Sequence, residues 1–301
     1  MKKTLLTLAL AVSVMASAQI VQVESVQRIP TPADKDLKVA AISPDGSFLL
    51  LTSQTNKGLK KMDIRTGAVE LITDAEGAGY NARITDDGQG LIYRETTIGH
   101  DKLRRSQLMH RSVLSNDSEV LIKQTRNLEG YTVKGNTVVA VNKRKMVTRR
   151  LNDDKGELAP VVSISQQQLV LTVNGKTTIL SPNGQDKSYI WPSISPDQKH
   201  ICYYVCGRGC YVCDIDGSHP QFIALHCRAA KWLDNETIIA MADIDNGEVL
   251  LSSAIVAYNL KGQKQVLTDS SIIAMYPYAT ADRKHIVCSS DQGDAYMINL
   301  K

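Results

Sequence analysis

Four cysteines fall close together at Cys202, Cys206, Cys210 and Cys213. Metal binding, disulfide formation and thiol nucleophilicity are the chemistries such a group could support. The intervening Gly207-Arg208-Gly209 reads as a hairpin turn, which would set Cys206 opposite Cys210. That pair is the disulfide candidate, provided the Cβ atoms approach to about 4 Å. In that register Cys202 would face Asp214 and Cys213 would face Tyr203, so the outer two point to opposite sides of the hairpin. Four thiols arranged in this way cannot converge on one zinc, and paired C-x2-C knuckles are lacking. Cys288, inside an apolar run, reads as a small buried hydrophobe, while Cys227 is either free or joins the cluster.

The remaining titratable groups are scattered. His100, His110, His200, His219, His226 and His285 have no fixed acidic partner in sequence, and His200 and His285 occupy the same position of a repeat described below. Asp243-Ile244-Asp245-Asn246-Gly247-Glu248 has half the pattern of a calcium loop. Position 12 of that loop would be Ala254, where a bidentate carboxylate is needed. Motifs of the G-x-S-x-G, H-E-x-x-H or phosphate-loop type do not occur. No catalytic residue, metal ligand or cofactor is therefore expected, and the chain reads as a non-enzyme.

Binding residues are the better prospect. Tyr80, Arg83, Tyr189, Trp191, Arg228 and Tyr276 all lie just before or at the start of β-rich runs, and Trp191-Pro192 and Tyr276-Pro277 occupy matching places. Aromatic faces with a few arginines suit a sugar ring, a peptide or an anionic small molecule. Arg104 and Arg105 belong to a second group. From Arg94 to Arg150 there are 13 Lys and Arg against 5 Asp and Glu, in a chain whose formal charge is only +4. Such an asymmetry attracts an acidic partner. Nucleic acid is not expected, because the interleaved aromatics that single strands stack on are missing from this segment.

The elements that must position these residues follow from a repeat. Ser43-Pro44-Asp45-Gly46, Thr85-Asp86-Asp87-Gly88, Ser195-Pro196-Asp197-Gln198 and Thr280-Ala281-Asp282-Arg283 each precede an apolar β-rich run. Weaker copies lie around Lys134 and Asp234. Proline fixes φ at the second turn position, aspartate caps the turn, and the next residue takes the left-handed conformation. A second turn recurs downstream at Asp63-Ile64-Arg65-Thr66-Gly67, Asp214-Ile215-Asp216-Gly217 and Asn259-Leu260-Lys261-Gly262. Four short strands per period is the pattern of a β-propeller blade. Six turn anchors (45, 87, 134, 197, 234 and 282) predict an all-β, six-bladed propeller of four-stranded antiparallel blades. The long interval between anchors 134 and 197 is read as an extended outer edge of the third blade at residues 166–182, a seventh blade being the alternative. The strand-like stretch from Ile20 to Ile29 is expected to supply the missing outer strand of the last blade and close the ring.

Met1-Lys2-Lys3, an apolar run and Ala16-Ser17-Ala18 form a leader pattern with a cut after Ala18. The expected organisation is therefore a signal peptide, 1–18, and one propeller domain, 19–301, secreted or periplasmic. No apolar stretch reaches the length of a membrane span, and a monomer is expected.

The turn motifs resemble those of TolB-like propellers with their Pro-Asp-type WD-like repeats, over essentially the whole mature chain. This resemblance implies a binding platform of the bacterial envelope and carries over no catalytic residue, since the matching motifs are turns. The expected function is to hold a protein or carbohydrate partner at the irregular loop rim and the channel mouth. The alternative is a propeller enzyme, a lyase or hydrolase with a metal- or carboxylate-based site in the central channel.

Overall fold

The computed structural model describes residues 19–32, 36–151 and 157–301. The expected leader, 1–18, lies outside them. In the first repeat, the Ser43 carbonyl accepts the Gly46 amide at 2.9 Å, and the Ser43 hydroxyl accepts the Phe48 amide at 3.0 Å. Asp45 closes the turn by accepting the Ser47 amide at 3.0 Å. Asp87, Asp197 and Asp282 likewise accept the amides of Gln89, Lys199 and Lys284. The left-handed position is taken by Gly46 and Gly88, but also by Gln198 (φ 62°) and Arg283 (φ 63°). Because the side chains before and after satisfy the backbone, glycine is not obligatory there.

Each such turn joins the first two strands of an antiparallel sheet, and seven sheets follow one another along the chain. Blade 1 comprises Leu37–Ile42, Phe48–Ser53, Leu59–Asp63 and Val69–Thr73. Blade 2 comprises Arg83–Ile84, Gly90–Ile98, Arg104–Ser112 and Ser118–Thr125. Blade 5 comprises Tyr189–Ile194, His200–Val205, Gly209–Asp214 and Gln221–Ala224. Blade 6 comprises Arg228–Trp232, Thr237–Asp245, Leu250–Asn259 and Lys264–Val266. In blade 7, Ala274–Ala279, His285–Ser290 and Ala295–Leu300 are completed by the N-terminal strand Val23–Ile29, which pairs antiparallel with the last strand. The ring closes as the sequence suggested.

The blade count does not. Six blades were expected, and there are seven. Residues read as an outer edge of the third blade form a sheet of their own. Blade 3 consists of Leu128–Lys134, Thr137–Asn142 and Lys145–Arg150, and blade 4 of Val161–Ser165, Gln168–Val173 and Lys176–Leu180. The physical reason is turn chemistry. Blade 4 turns at Gln166-Gln167 (φ 49° and 64°) and Asn174-Gly175 (φ 48° and 78°). Two successive positive φ angles make a type I′ hairpin, which matches strand twist but needs neither proline nor aspartate. A search for Ser-Pro-Asp-Gly anchors passes over Gln-Gln.

The inner strands of blades 3 to 7 neighbour one another in turn, and that of blade 1 neighbours those of blades 2 and 7; the apolar cores lie between blades. Along His200–Val205 the two faces pack separately. Cys202 joins a core with Trp232, Ile238 and Val256 of blade 6, whereas Ile201, Tyr203 and Val205 join one with Val162 and Leu169 of blade 4. A strand covered on both faces reads as a continuous apolar run, and this one does. No helix among the described residues is long and apolar enough to cross a membrane.

Candidate functional site

Pairing between the first and second strands of each blade identifies one ring of inner-strand residues. The third residue of each second strand pairs, in blade order, with Ala41, Arg83, Thr132, Ser163, Ser193, Lys231 and Tyr278. All seven line the central channel, which opens into a cavity of about 460 Å³ at the Ser-Pro-Asp-Gly end and about 680 Å³ at the irregular rim. Arg83, Thr132, Lys231 and Tyr278 border both cavities and so form the waist.

Just before the ring the inner strands break regular geometry. Register shifts occur between Ile190 and Ser193, Arg228 and Lys231, and Met275 and Tyr278. The residue two places before the ring position is left-handed in four blades: Asn81 (φ 59°), Trp191 (φ 52°), Ala229 (φ 51°) and Tyr276 (φ 53°). For residues with a Cβ this costs about 1–2 kcal/mol each. Bulges of this kind re-aim side chains and concentrate beside functional sites. Here the break brings Tyr80, Asn81, Trp191 and Tyr276 to the wider mouth. Tyr80 and Tyr276 are both exposed there.

The mouth carries positive charge stacked on its aromatics. Arg94 lies 5.3 Å from the Tyr80 ring centre and Arg228 lies 5.6 Å from that of Trp191. Arg228 is also ion-paired with the buried Asp243, so it orients Trp191 from behind. The carboxylates nearest the channel are engaged elsewhere. Asp86 binds Lys134 and the Gly135 amide, and Glu129 accepts the Arg144 amide. Arg83 and Lys231, by contrast, have neither a hydrogen-bond partner nor an ion-pair partner among the described residues. Burial pushes the Lys231 amine down to about 7, and the Arg83 charge adds to the shift. Burial likewise raises Tyr131 and Tyr278, each of which feels the Arg83 charge. Both phenols therefore stay neutral, Tyr278 at the waist and Tyr131 buried beside it with its hydroxyl directed at the Tyr80 and Ile92 carbonyls. Two cations facing each other without a carboxylate between them can receive an anion.

Of the residues proposed from sequence, Tyr80, Arg83, Trp191 and Tyr276 come together at this mouth, and Arg228 lies behind it. Tyr189 does not. It is fully buried between blades 4 and 5, its hydroxyl donating to the Gly184 carbonyl and accepting from the Asn183 amide. Arg104 and Arg105 border neither cavity. They begin the third strand of blade 2, where Arg105 pairs with Asp101. Lys231 was missed, although a lone lysine in the apolar inner strand Ala229-Ala230-Lys231-Trp232 was a usable signal. The cysteine register also differs from expectation. Cys210 pairs with Tyr204, Cys202 with Val212 and Cys213 with Ile201. Cys206 is an exposed turn residue and Cys210 is buried, so the two are not opposed. The tight turn begins one residue earlier than the glycines suggested, at Cys206 rather than Gly207. Among the described residues no group of three His, Cys, Asp or Glu is placed to hold a metal ion.

No family model matches the chain, and no curated protein matches it by sequence. Solved structures do match in fold. TolB from Acinetobacter baumannii is 10% identical with a TM-score of 0.50, over 87% of this chain and 63% of that one. The β-propeller domain of the Trilobed protease from Pyrococcus furiosus is 12% identical with a TM-score of 0.54, over 84% and 90%. An oligogalacturonate lyase in complex with manganese is 16% identical with a TM-score of 0.49, over 86% and 76%. What the chain shares with TolB and the protease domain at such identities is the propeller fold.

Proposed function

We propose that this is an exported binding protein that holds an acidic carbohydrate at the wider channel mouth, without turning it over. The observation that carries the reading is the pair of unpartnered cations, Arg83 and Lys231, at the waist below exposed Tyr80 and Tyr276. A pyranose ring presents apolar C–H faces suited to the aromatics, and its carboxylate would sit between the two cations as a charge-assisted hydrogen-bond acceptor. The resemblance of the turns to TolB-like propellers is in keeping with a binding platform of the envelope. Loops and strand ends at one rim are where such scaffolds carry specificity.

The experiment is titration calorimetry of the purified protein with a glucuronic-acid-containing oligosaccharide and with its carboxyl-reduced neutral counterpart. Binding of the acidic sugar alone, weakened by salt, is expected. Equal affinity for both sugars, or binding of neither, overturns the reading.

A further inference from the structure

The channel is not the only place where reactive side chains meet. On blade 5, Cys202 and Cys210 point to the same side, each paired across the hairpin with a residue that packs on blade 6, Val212 and Tyr204. The outer strand pairs alongside the third, with Ala224 opposite Cys210. The two segments are close enough that a Cβ on Gly209 would come within 2.9 Å of the Leu225 Cα. Three residues after Ala224 the chain enters blade 6 at Cys227, which is fully buried in the same core as Cys202 and Cys210. Cys227 and Cys210 thus share one apolar core, and Ala224, three residues before Cys227, is paired directly with Cys210.

We propose that Cys210 and Cys227 form a disulfide that ties the third strand of blade 5 to the entry of blade 6. The other thiols are less well placed. Cys202 lies diagonally across the hairpin from Cys210, and diagonal neighbours stand about 7–8 Å apart, beyond the Cβ separation a disulfide accepts. Cys213 faces blade 4. Cys206 is exposed at the turn, and Cys288 is buried in the core between blades 6 and 7.

Formation is thiol–disulfide exchange with an external disulfide as oxidant, such as oxidised glutathione or a disulfide-bearing oxidoreductase. One thiolate attacks the external disulfide and expels a thiolate, and the second protein thiol then attacks the mixed disulfide. Cys210 and Cys227 together lose two protons and two electrons, and the external disulfide is reduced to two thiols. Both sulfurs are buried in the folded chain, and the neighbouring Cys227 and burial together raise the Cys210 thiol well above its usual range. Exchange therefore takes place before the two blades close, and the folded reduced protein is inert to the same oxidant. This inference does not depend on what the channel binds.

The test uses the full mature chain, refolded from the reduced, denatured state in a buffer of reduced and oxidised glutathione. Free thiols are alkylated and the folded fraction is digested without reductant. Trypsin cuts after Arg208 and Arg228 and leaves Cys210, Cys213 and Cys227 on one peptide, so chymotryptic cleavage after Tyr211 is needed to separate them. Joined fragments carrying Cys210 and Cys227, with the other four cysteines alkylated, are expected. A C213A variant is expected to give the same link. Alkylation of both Cys210 and Cys227 in the folded wild type, or a link from either to another cysteine, overturns the proposal. A parallel sample folded in reductant and then exposed to oxidised glutathione is expected to stay unlinked, and rapid linkage there would contradict the order of events.

Discussion

Replacing Lys231 with methionine removes one waist cation while keeping the length and most of the volume of the side chain. A ligand carboxylate about 4 Å from the amine, at an effective dielectric of about 20, gains about 4 kcal/mol of Coulomb energy. Removing water from the amine takes back part of that, and charged hydrogen bonds in proteins net about 1.5–3 kcal/mol. Every 1.4 kcal/mol is tenfold, so affinity for the acidic sugar should fall roughly 10- to 100-fold in K231M. Because burial holds the amine down to about 7, wild-type affinity should decline as pH rises through 7, and the K231M profile should be flat there. The stability effect has the opposite sense. With a folded value below the unfolded one near 10.4, the wild type carries its full penalty below pH 7 and sheds it as pH rises toward 10. K231M should therefore be at least as stable as the wild type at pH 6, which separates loss of binding from loss of folding. Calorimetric titrations at pH 6, 7 and 8, with thermal melts, read both. Unchanged affinity in K231M, or a pH dependence surviving the substitution, would refute the assignment of Lys231 to the ligand.

The remaining predictions concern the scaffold. Converting the blade 4 turn Gln166-Gln167 to Asn-Gly should raise stability by about 0.5–1 kcal/mol, read as a higher urea midpoint; a loss would argue against a hairpin at that place. Introducing a Cβ at Gly79 would meet the Thr52 hydroxyl oxygen at 1.9 Å, and that buried side chain is already bonded to the Gly58 carbonyl. Gly79→Ala should therefore cost about 1–3 kcal/mol by overpacking, again measured by urea unfolding. The turn carboxylates Asp45, Asp197 and Asp282 are held below the usual range, first by the hydroxyls of Ser43, Ser195 and Thr280. Their contribution is present above the unfolded value near 3.9 and is lost as pH falls through the lower folded values. Unfolding midpoints should drop as pH falls below about 4, less steeply in D197N, and an equal slope in that variant would contradict the assignment.

The turns explain what the sequence made legible. Where a Ser-Pro-Asp-Gly signature announces a hairpin, the strands that follow are placed correctly, as in blades 1, 5 and 7. Closure by Val23–Ile29 was readable as well, because Ala295–Leu300 otherwise ends the chain as an unprotected edge. Blade 4 was hidden because glutamine has no turn preference, and its positive φ angles are imposed by flanking strands rather than by local chemistry. The site was half visible. Trp191 and Tyr276 stand out beside prolines at matching positions, and Arg83 beside Asn81. Tyr189 was misplaced because the bulge at Trp191 reverses which neighbour faces the channel, and bulges leave no mark that residue types reveal. Lys231 stands out in sequence as a lone lysine in an apolar run, but its place opposite the other ring residues follows only from strand register, since the ring is defined by pairing across each blade.

The decisive measurement is a crystal structure of the protein soaked with the glucuronic-acid-containing oligosaccharide. The carboxylate is expected within hydrogen-bond distance of both Arg83 Nη and Lys231 Nζ, with a sugar ring against Tyr80 or Tyr276. Sugar bound on the outer hairpins, or a channel mouth left without sugar at saturating concentration, would contradict it.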